Sequence, residues 1–200
     1  MSRLQKQLSF LQEIDKFKDI ERIIPLQNGR KETDAEHTWH LAMFLLVFDK
    51  ELPEDLDRNR MLRLALIHDL AEVYAGDPFA FDERARIDKH EKEQEAAKEL
   101  FGLLPNDMRN DFMSLFDEYE NKTSPEARVV KAFDKLQPLL SHFLTGGKLY
   151  RDKAITKEIV EEYNKPHFGE FAFLDELNKT LITLLEEHDV FSNQRQTLLE

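Results

Sequence analysis

Apolar residues recur at helical spacing along most of the chain. Leu4, Leu8, Leu11, Ile14 and Phe17 trace one stripe and predict a first helix over roughly 2–21. A linker, ERIIPLQNGRKETDAEH, follows and is broken by Pro25, Asn28 and Gly29. Thr33 and Glu36 have capping-box spacing, so a second helix is expected from there to about Lys50, with the run Leu41 to Phe48 buried. A third apolar helix is expected over about 57–74, where Gly76 and Pro78 then break the chain. Residues 84–101 read as a charged, mostly exposed helix, and 106–120 as one with Phe112, Leu115, Phe116 and Tyr119 inward. Ser124-Pro125 pairs an N-cap with a proline in the first helical position and opens a helix that ends at Gly146-Gly147. Helices over about 152–164 and 169–188 finish the pattern. No repeat or boundary interrupts it, so the expectation is one all-α domain over residues 1–200.

Composition narrows the chemistry. Two hundred residues at 41% hydrophobic content suffice for a sizeable core. The chain has no cysteine, which leaves His, Asp and Glu as the only strong metal donors. No cationic-then-apolar leader opens it and no apolar run is long enough to span a bilayer, so a cytoplasmic protein without a membrane partner is expected. A net charge of −12 argues against nucleic-acid polymers, whose binding needs rows of Lys and Arg. A small anionic ligand stays compatible with that charge if a cation and an arginine receive it. A homodimer is left open.

The stretch RLALIHDLAEVYAGD, residues 63–77, sets a problem. Its apolar residues leave little polar face, yet it carries His68, Asp69 and Glu72. Buried ions left unpaired are costly, so these groups need partners. His37 falls in the first turn of a second apolar helix, and Asp134 interrupts a third, VVKAFDKLQPLL. If the three helices pack together, their interior polar groups must find one another. Two imidazoles and two carboxylates make a donor set that suits Mn²⁺, Fe²⁺, Co²⁺, Ni²⁺ or Zn²⁺. Singly each residue has an ordinary explanation; a lone buried histidine is more often a hydrogen-bonded core residue. The spacing of Glu72 from His68 predicts that both share one helical face. His40, three residues after His37, is expected to pack rather than ligate.

AEH at 35–37, HDLAE at 68–72, GD at 76–77 and AFDK at 132–135 resemble the HD superfamily of metal-dependent phosphohydrolases. The ordered H…HD…D set, the HDxxE, the following GD and the length are most similar to its 5′-deoxynucleotidases, over about residues 20–145. The resemblance implies that His37, His68, Asp69 and Asp134 bind the metal and that Glu72 is the acid/base residue beside the attacking water. It also implies that Asp77 faces the substrate sugar with Pro78 beside the substrate, and that Arg22 orients the phosphate. In the bacterial relatives a tryptophan follows that arginine; here Ile23 does. Some eukaryotic relatives hold a second divalent ion near the positions of Glu72 and Asp77, for which Glu91 or Glu95 are the further candidates. Arg30 and Lys31 are alternative phosphate ligands.

The reading is therefore a helical phosphohydrolase acting on nucleoside 5′-monophosphates. Val73 stands where the stringent-response hydrolases carry Asp, and the GYP motif of the cyclic-dinucleotide phosphodiesterases is missing. Rivals are hydrolysis of another nucleotide or phosphate ester, and a noncatalytic module with a structural metal or a nucleotide-sensing pocket. A structural site needs no Glu72.

Overall fold

Ser2 and Thr33 open the first two helices in the same way. Each side chain accepts from the backbone N–H three residues on, and Gln5 or Glu36 returns a bond to the cap's own N–H. In this computed structural model, which describes residues 1–82 and 87–192, α1 spans Arg3–Glu13 and tightens into a 3₁₀ turn over Ile14–Lys18. Its leucine stripe faces outward: Leu4, Leu8 and Leu11 are exposed, and Phe10 and Phe17 are the residues that bury.

The expected linker is a hairpin. Strand β1, Glu21–Pro25, pairs antiparallel with β2, Lys31–Thr33, placing Glu21 opposite Thr33 and Pro25 opposite Lys31. Asn28-Gly29 makes the turn, with Gly29 at φ 84° and the Asn28 side chain accepting from the Arg30 N–H at 3.0 Å. Asn-Gly between short extended runs is the usual hairpin signal.

The remaining helices are α2 (Asp34–Val47), α3 (Arg58–Ile67), α4 (Glu72–Ala75), α5 (Lys89–Phe101) and α6 (Asn106–Asn121). They continue with α7 (Pro125–Leu144), α8 (Lys148–Asp152), α9 (Lys157–Asn164) and α10 (Ala172–Glu187). Helix α7 is the axis of the core. Val129, Val130, Phe133 and Leu136 are fully buried on it, and it packs against α2, α3, α10 and β1. Phe133 lies 6.0 Å from Phe44 and 5.9 Å from Phe48, ring centre to ring centre. Each ring buried this way contributes about 1.5–3 kcal/mol. Helix α2 keeps His37, Leu41, Phe44 and Leu45 inward but turns Trp39, Leu46 and Val47 to solvent, so it is amphipathic rather than wholly buried.

The third expected helix does not run unbroken. Helix α3 stops at Ile67, and the N–H groups of Leu70, Glu72, Val73 and Tyr74 bond carbonyls three residues back instead of four. Gly76 ends the segment at φ 74° and ψ 161°, a backbone region that side chains avoid. The predicted helix over 84–101 begins at Lys89 among the described residues; positions 84–86 of that prediction lie outside them. It is not mostly exposed: Glu93, Ala96, Ala97, Leu100 and Phe101 bury. The expected helix over 152–164 is α9, which starts at Lys157, α8 is a short helix that was not expected, and the helix over 169–188 is α10. Among the described residues no helix is long and apolar enough to cross a membrane.

Candidate functional site

Helix α2, the turn between α3 and α4, and α7 meet with their polar residues turned inward. His37 is fully buried and His68 is 2% exposed, with ring centres 5.4 Å apart. His68 Nδ1 lies 2.7 Å from the Ala65 carbonyl, which accepts only, so Nδ1 carries the proton. Gln137 Nε2 donates to Glu32 at 2.9 Å and to Ser141 at 3.1 Å, which turns Gln137 Oε1 toward His37 Nδ1 at 2.8 Å. Both imidazoles therefore present a bare Nε2 to the same space.

Carboxylate oxygens face those lone pairs. Asp69 Oδ2 is 2.8 Å from His68 Nε2 and 3.9 Å from His37 Nε2, and Asp134 Oδ1 is 3.1 Å from His37 Nε2 and 3.9 Å from His68 Nε2. His68 Nε2 is buried with no hydrogen-bond partner among the described residues. A bound cation would relieve lone pairs held against carboxylates in this way. One donor atom each from His37, His68 and Asp69 lies within 4.8 Å of the others. Asp134 closes on the far side of His37, its second oxygen accepting from the Tyr119 hydroxyl at 2.9 Å and lying 3.0 Å from Lys135 Nζ. Nitrogen and oxygen donors with their outer atoms already hydrogen-bonded fit a divalent metal.

Glu72 reaches the site by a different geometry from the one expected. In the tight winding after Ile67 the Glu72 N–H bonds the Asp69 carbonyl at 2.9 Å, and Asp69 is the strongest charge acting on the Glu72 side chain. Burial and the adjacent Asp69 push its carboxyl well up. Lys89 Nζ lies 3.2 Å from Glu72 Oε1 and 3.0 Å from Glu93 Oε1, and Glu72 Oε2 has no partner among the described residues.

Arg22, on β1, is drawn in beside the histidines. Its guanidinium lies 3.5 Å from Glu32, 3.4 Å from Asp34 and 3.5 Å from Asp69. Burial disfavours its charge, but Asp77, Asp69, Glu72 and Asp34 outweigh that and hold it firmly protonated. Asp34 is wholly buried, and burial together with Asp69 raises it to about 7. Burial lowers His37 to about 4.

Arg22, Asp69, Glu72, Asp77, Pro78 and Asp134 all line one cavity of about 440 Å³. Other residues named from sequence lie elsewhere. His40 pairs with Gln137 at 3.1 Å and stacks on Trp39, as expected of a packing residue. Arg30 and Lys31 pair with Glu36 and Glu21 at the surface. Glu91 and Glu95 are exposed, and Glu93 is the acid of that helix that enters the cavity. Glu32, Asp34, Lys89, Glu93, Tyr119 and Gln137 were not singled out from sequence. Asp34 and Gln137 had a usable signal, each standing three positions from a named residue on its helix, His37 and Asp134.

An HD-domain family model matches residues 14–174, and the chain belongs to that family. It is similar to the 5′-deoxynucleotidase HDDC2 of Bos taurus, 35% identical over 135 residues that cover 66% of this chain and 64% of the relative. It is also 32% identical over 143 residues to the 5′-deoxynucleotidase YBR242W of Saccharomyces cerevisiae, covering 68% of this chain and 58% of that protein. The match thus spans less than two thirds of either relative's length. Among solved structures, a predicted metal-dependent phosphohydrolase from Magnetospirillum magnetotacticum superposes with a TM-score of 0.86 at 35% identity, over 96% of this chain and all of that one. The PH0347 protein of Pyrococcus horikoshii has a TM-score of 0.67 at 26% identity, covering 88% and 99%.

Proposed function

We propose that this chain is a metal-dependent phosphomonoester hydrolase that removes the 5′-phosphate from nucleoside 5′-monophosphates, deoxyribonucleotides foremost. The observation that carries this reading is the buried Nε2 of His68, without a hydrogen-bond partner among the described residues, beside His37 and the carboxylates of Asp69 and Asp134, which line one cavity with Arg22 and Glu72. His37, His68, Asp69 and Asp134 would hold one ion of Mn, Fe, Co, Ni or Zn. Such an ion acidifies water and neutralises phosphate charge.

The chain's own residues supply the rest. Arg22 is a fixed, buried guanidinium able to take two phosphate oxygens. Glu72, raised in proton affinity, accepts the proton of the water that attacks phosphorus. The phosphorus–oxygen ester bond breaks and the released 5′-oxygen takes up a proton. Asp77 receives the sugar hydroxyl, and Pro78 packs beside it. Lys89 already bridges Glu72 and Glu93, placing an ammonium where a second ion would serve, and this supports a single-ion site.

Phosphate release should be measured across ribo- and deoxyribonucleoside 5′-monophosphates with protein as purified, after chelation, and after the ion is restored. Release that vanishes with the metal and returns with it supports the reading. Full activity of metal-stripped protein, or no release from any nucleotide, overturns it.

A further inference from the structure

The cavity does not end at the ionic cluster. On α7, Asp134, Pro138 and His142 are spaced four apart and all three line it, a run of roughly 12 Å at 1.5 Å per residue. On the opposite wall the chain leads from Asp77-Pro78 directly into Phe79 and Phe81. Two independent elements thus carry the cavity in one direction, from charge to rings.

The far end is aromatic. Phe81 lies 5.0 Å from Tyr163 and 6.3 Å from Tyr150, ring centre to ring centre. Tyr150 in turn lies 3.8 Å from the His142 ring. His142 is 2% exposed, and its Nδ1 is buried with no partner among the described residues. Burial drives its proton affinity down, so the ring is neutral, with one N–H to donate and one bare nitrogen to accept. His167, at the same end, also has a buried Nδ1 without a partner among the described residues. Ring walls with neutral hydrogen-bonding edges, bounded by Lys135 Nζ 5.4 Å over the Tyr163 ring and by Glu162, match a flat heterocycle with polar edges better than a simple acyl chain.

We infer that this end of the cavity is a nucleobase subsite, in which the adjoining Phe81 and Tyr163 rings form one wall against a face of the base and His142 reads a polar edge. The inference rests on the proposed phosphohydrolase reading, which sets the phosphate at the other end. It makes His142 a specificity-determining residue, remote from the reacting atoms.

The test compares kcat/KM on the four deoxyribonucleoside 5′-monophosphates with that on 2-deoxyribose 5-phosphate, which has the same reacting group and no base. The wild type should favour nucleotides. His142→Leu should lower that preference by about tenfold, the worth of one neutral hydrogen bond, and change the ranking of the four bases. Phe81→Ala, at a half-buried loop position, should lower it for all four bases alike, and it carries the test if His142→Leu does not fold. Equal kcat/KM for nucleotides and sugar phosphate in the wild type overturns the subsite while leaving the phosphohydrolase standing. Unchanged preference in the folded variants does the same. If neither substrate releases phosphate, the phosphohydrolase reading fails and takes the subsite with it.

Discussion

Gln137 holds His37 by a 2.8 Å hydrogen bond to Nδ1, from a position one helical turn after Asp134 on α7. The amide cannot turn over, because its nitrogen is engaged by Glu32 and Ser141. The bare Nε2 of His37 is therefore fixed by a residue that touches neither metal nor substrate. Gln137→Ala should weaken metal affinity by about 10–100-fold. Competition against a chelator of known affinity measures it; an unchanged affinity would show that the helix alone orients the ring.

Glu72 and Asp69 stand three apart in the chain but should fail differently. Glu72→Gln keeps size and removes proton acceptance, so turnover should drop by about 10²–10⁴-fold with metal content intact. Asp69→Asn should lose metal and activity together. Elemental analysis beside turnover separates the two, and loss of the ion from Glu72→Gln would make Glu72 a ligand.

Arg22, proposed to hold the phosphate, is also a structural counter-ion. Arg22→Ala leaves Glu32, Asp34 and Asp69 facing one another without their guanidinium, an uncompensated burial worth about 3–5 kcal/mol. Denaturant titration should show that loss alongside a collapse of turnover. Arg22→Lys should recover stability better than turnover, since an ammonium keeps the charge and loses the two-pronged contact. Full recovery of both would remove the phosphate role.

The contribution of the buried histidines to stability should fall in mild acid, opposed by Asp34 and Glu72, whose raised carboxyls take up protons more readily in the folded chain. Burial pushes His142 down to about 3 from an ordinary 6.5, and His167 moves in the same direction to about 4. Below pH 6.5 the unfolded chain takes up a proton that the folded chain refuses, so the folded state is favoured fully above that pH and loses ground toward pH 4. For His142 the loss is at most about 1.4 kcal/mol per pH unit. From pH 7.5 to pH 5 the urea midpoint of the wild type should drop relative to that of His142→Leu. Identical slopes would place the acid sensitivity elsewhere.

Helices with strong ends were legible in the sequence. Thr33 with Glu36, and Ser124 with Pro125, mark the starts of α2 and α7 in the structure, because capping is a local interaction. The hairpin was hidden because its strands are short and lie between breakers that also describe a loop. The leucine stripe gave α1 itself but not its orientation, since periodicity gives a face and not the direction in which it points. His37, His68, Asp69 and Asp134 were readable as polar interruptions of apolar helices. Lys89 and Tyr119 were not, since each matters through a partner at least fifteen positions away along the chain, and Glu93 joins the site through Lys89. Glu93 and Lys89 also look from sequence like two more charges on a solvated helix.

The tight winding between Ile67 and Tyr74 constrains anyone who would transplant this site into another scaffold. On a continuous α-helix Glu72 would follow His68, about 40° apart around the axis, and Asp69 would swing away from it. Winding at three residues per turn would instead bring Asp69 and Glu72 into line, with His68 a third of a turn away. Copying the side chains onto an ideal helix would thus carry over the letters of the motif and lose its arrangement. The portable unit is the backbone from the end of α3 to Gly76, together with the glycine whose positive φ lets the chain leave it.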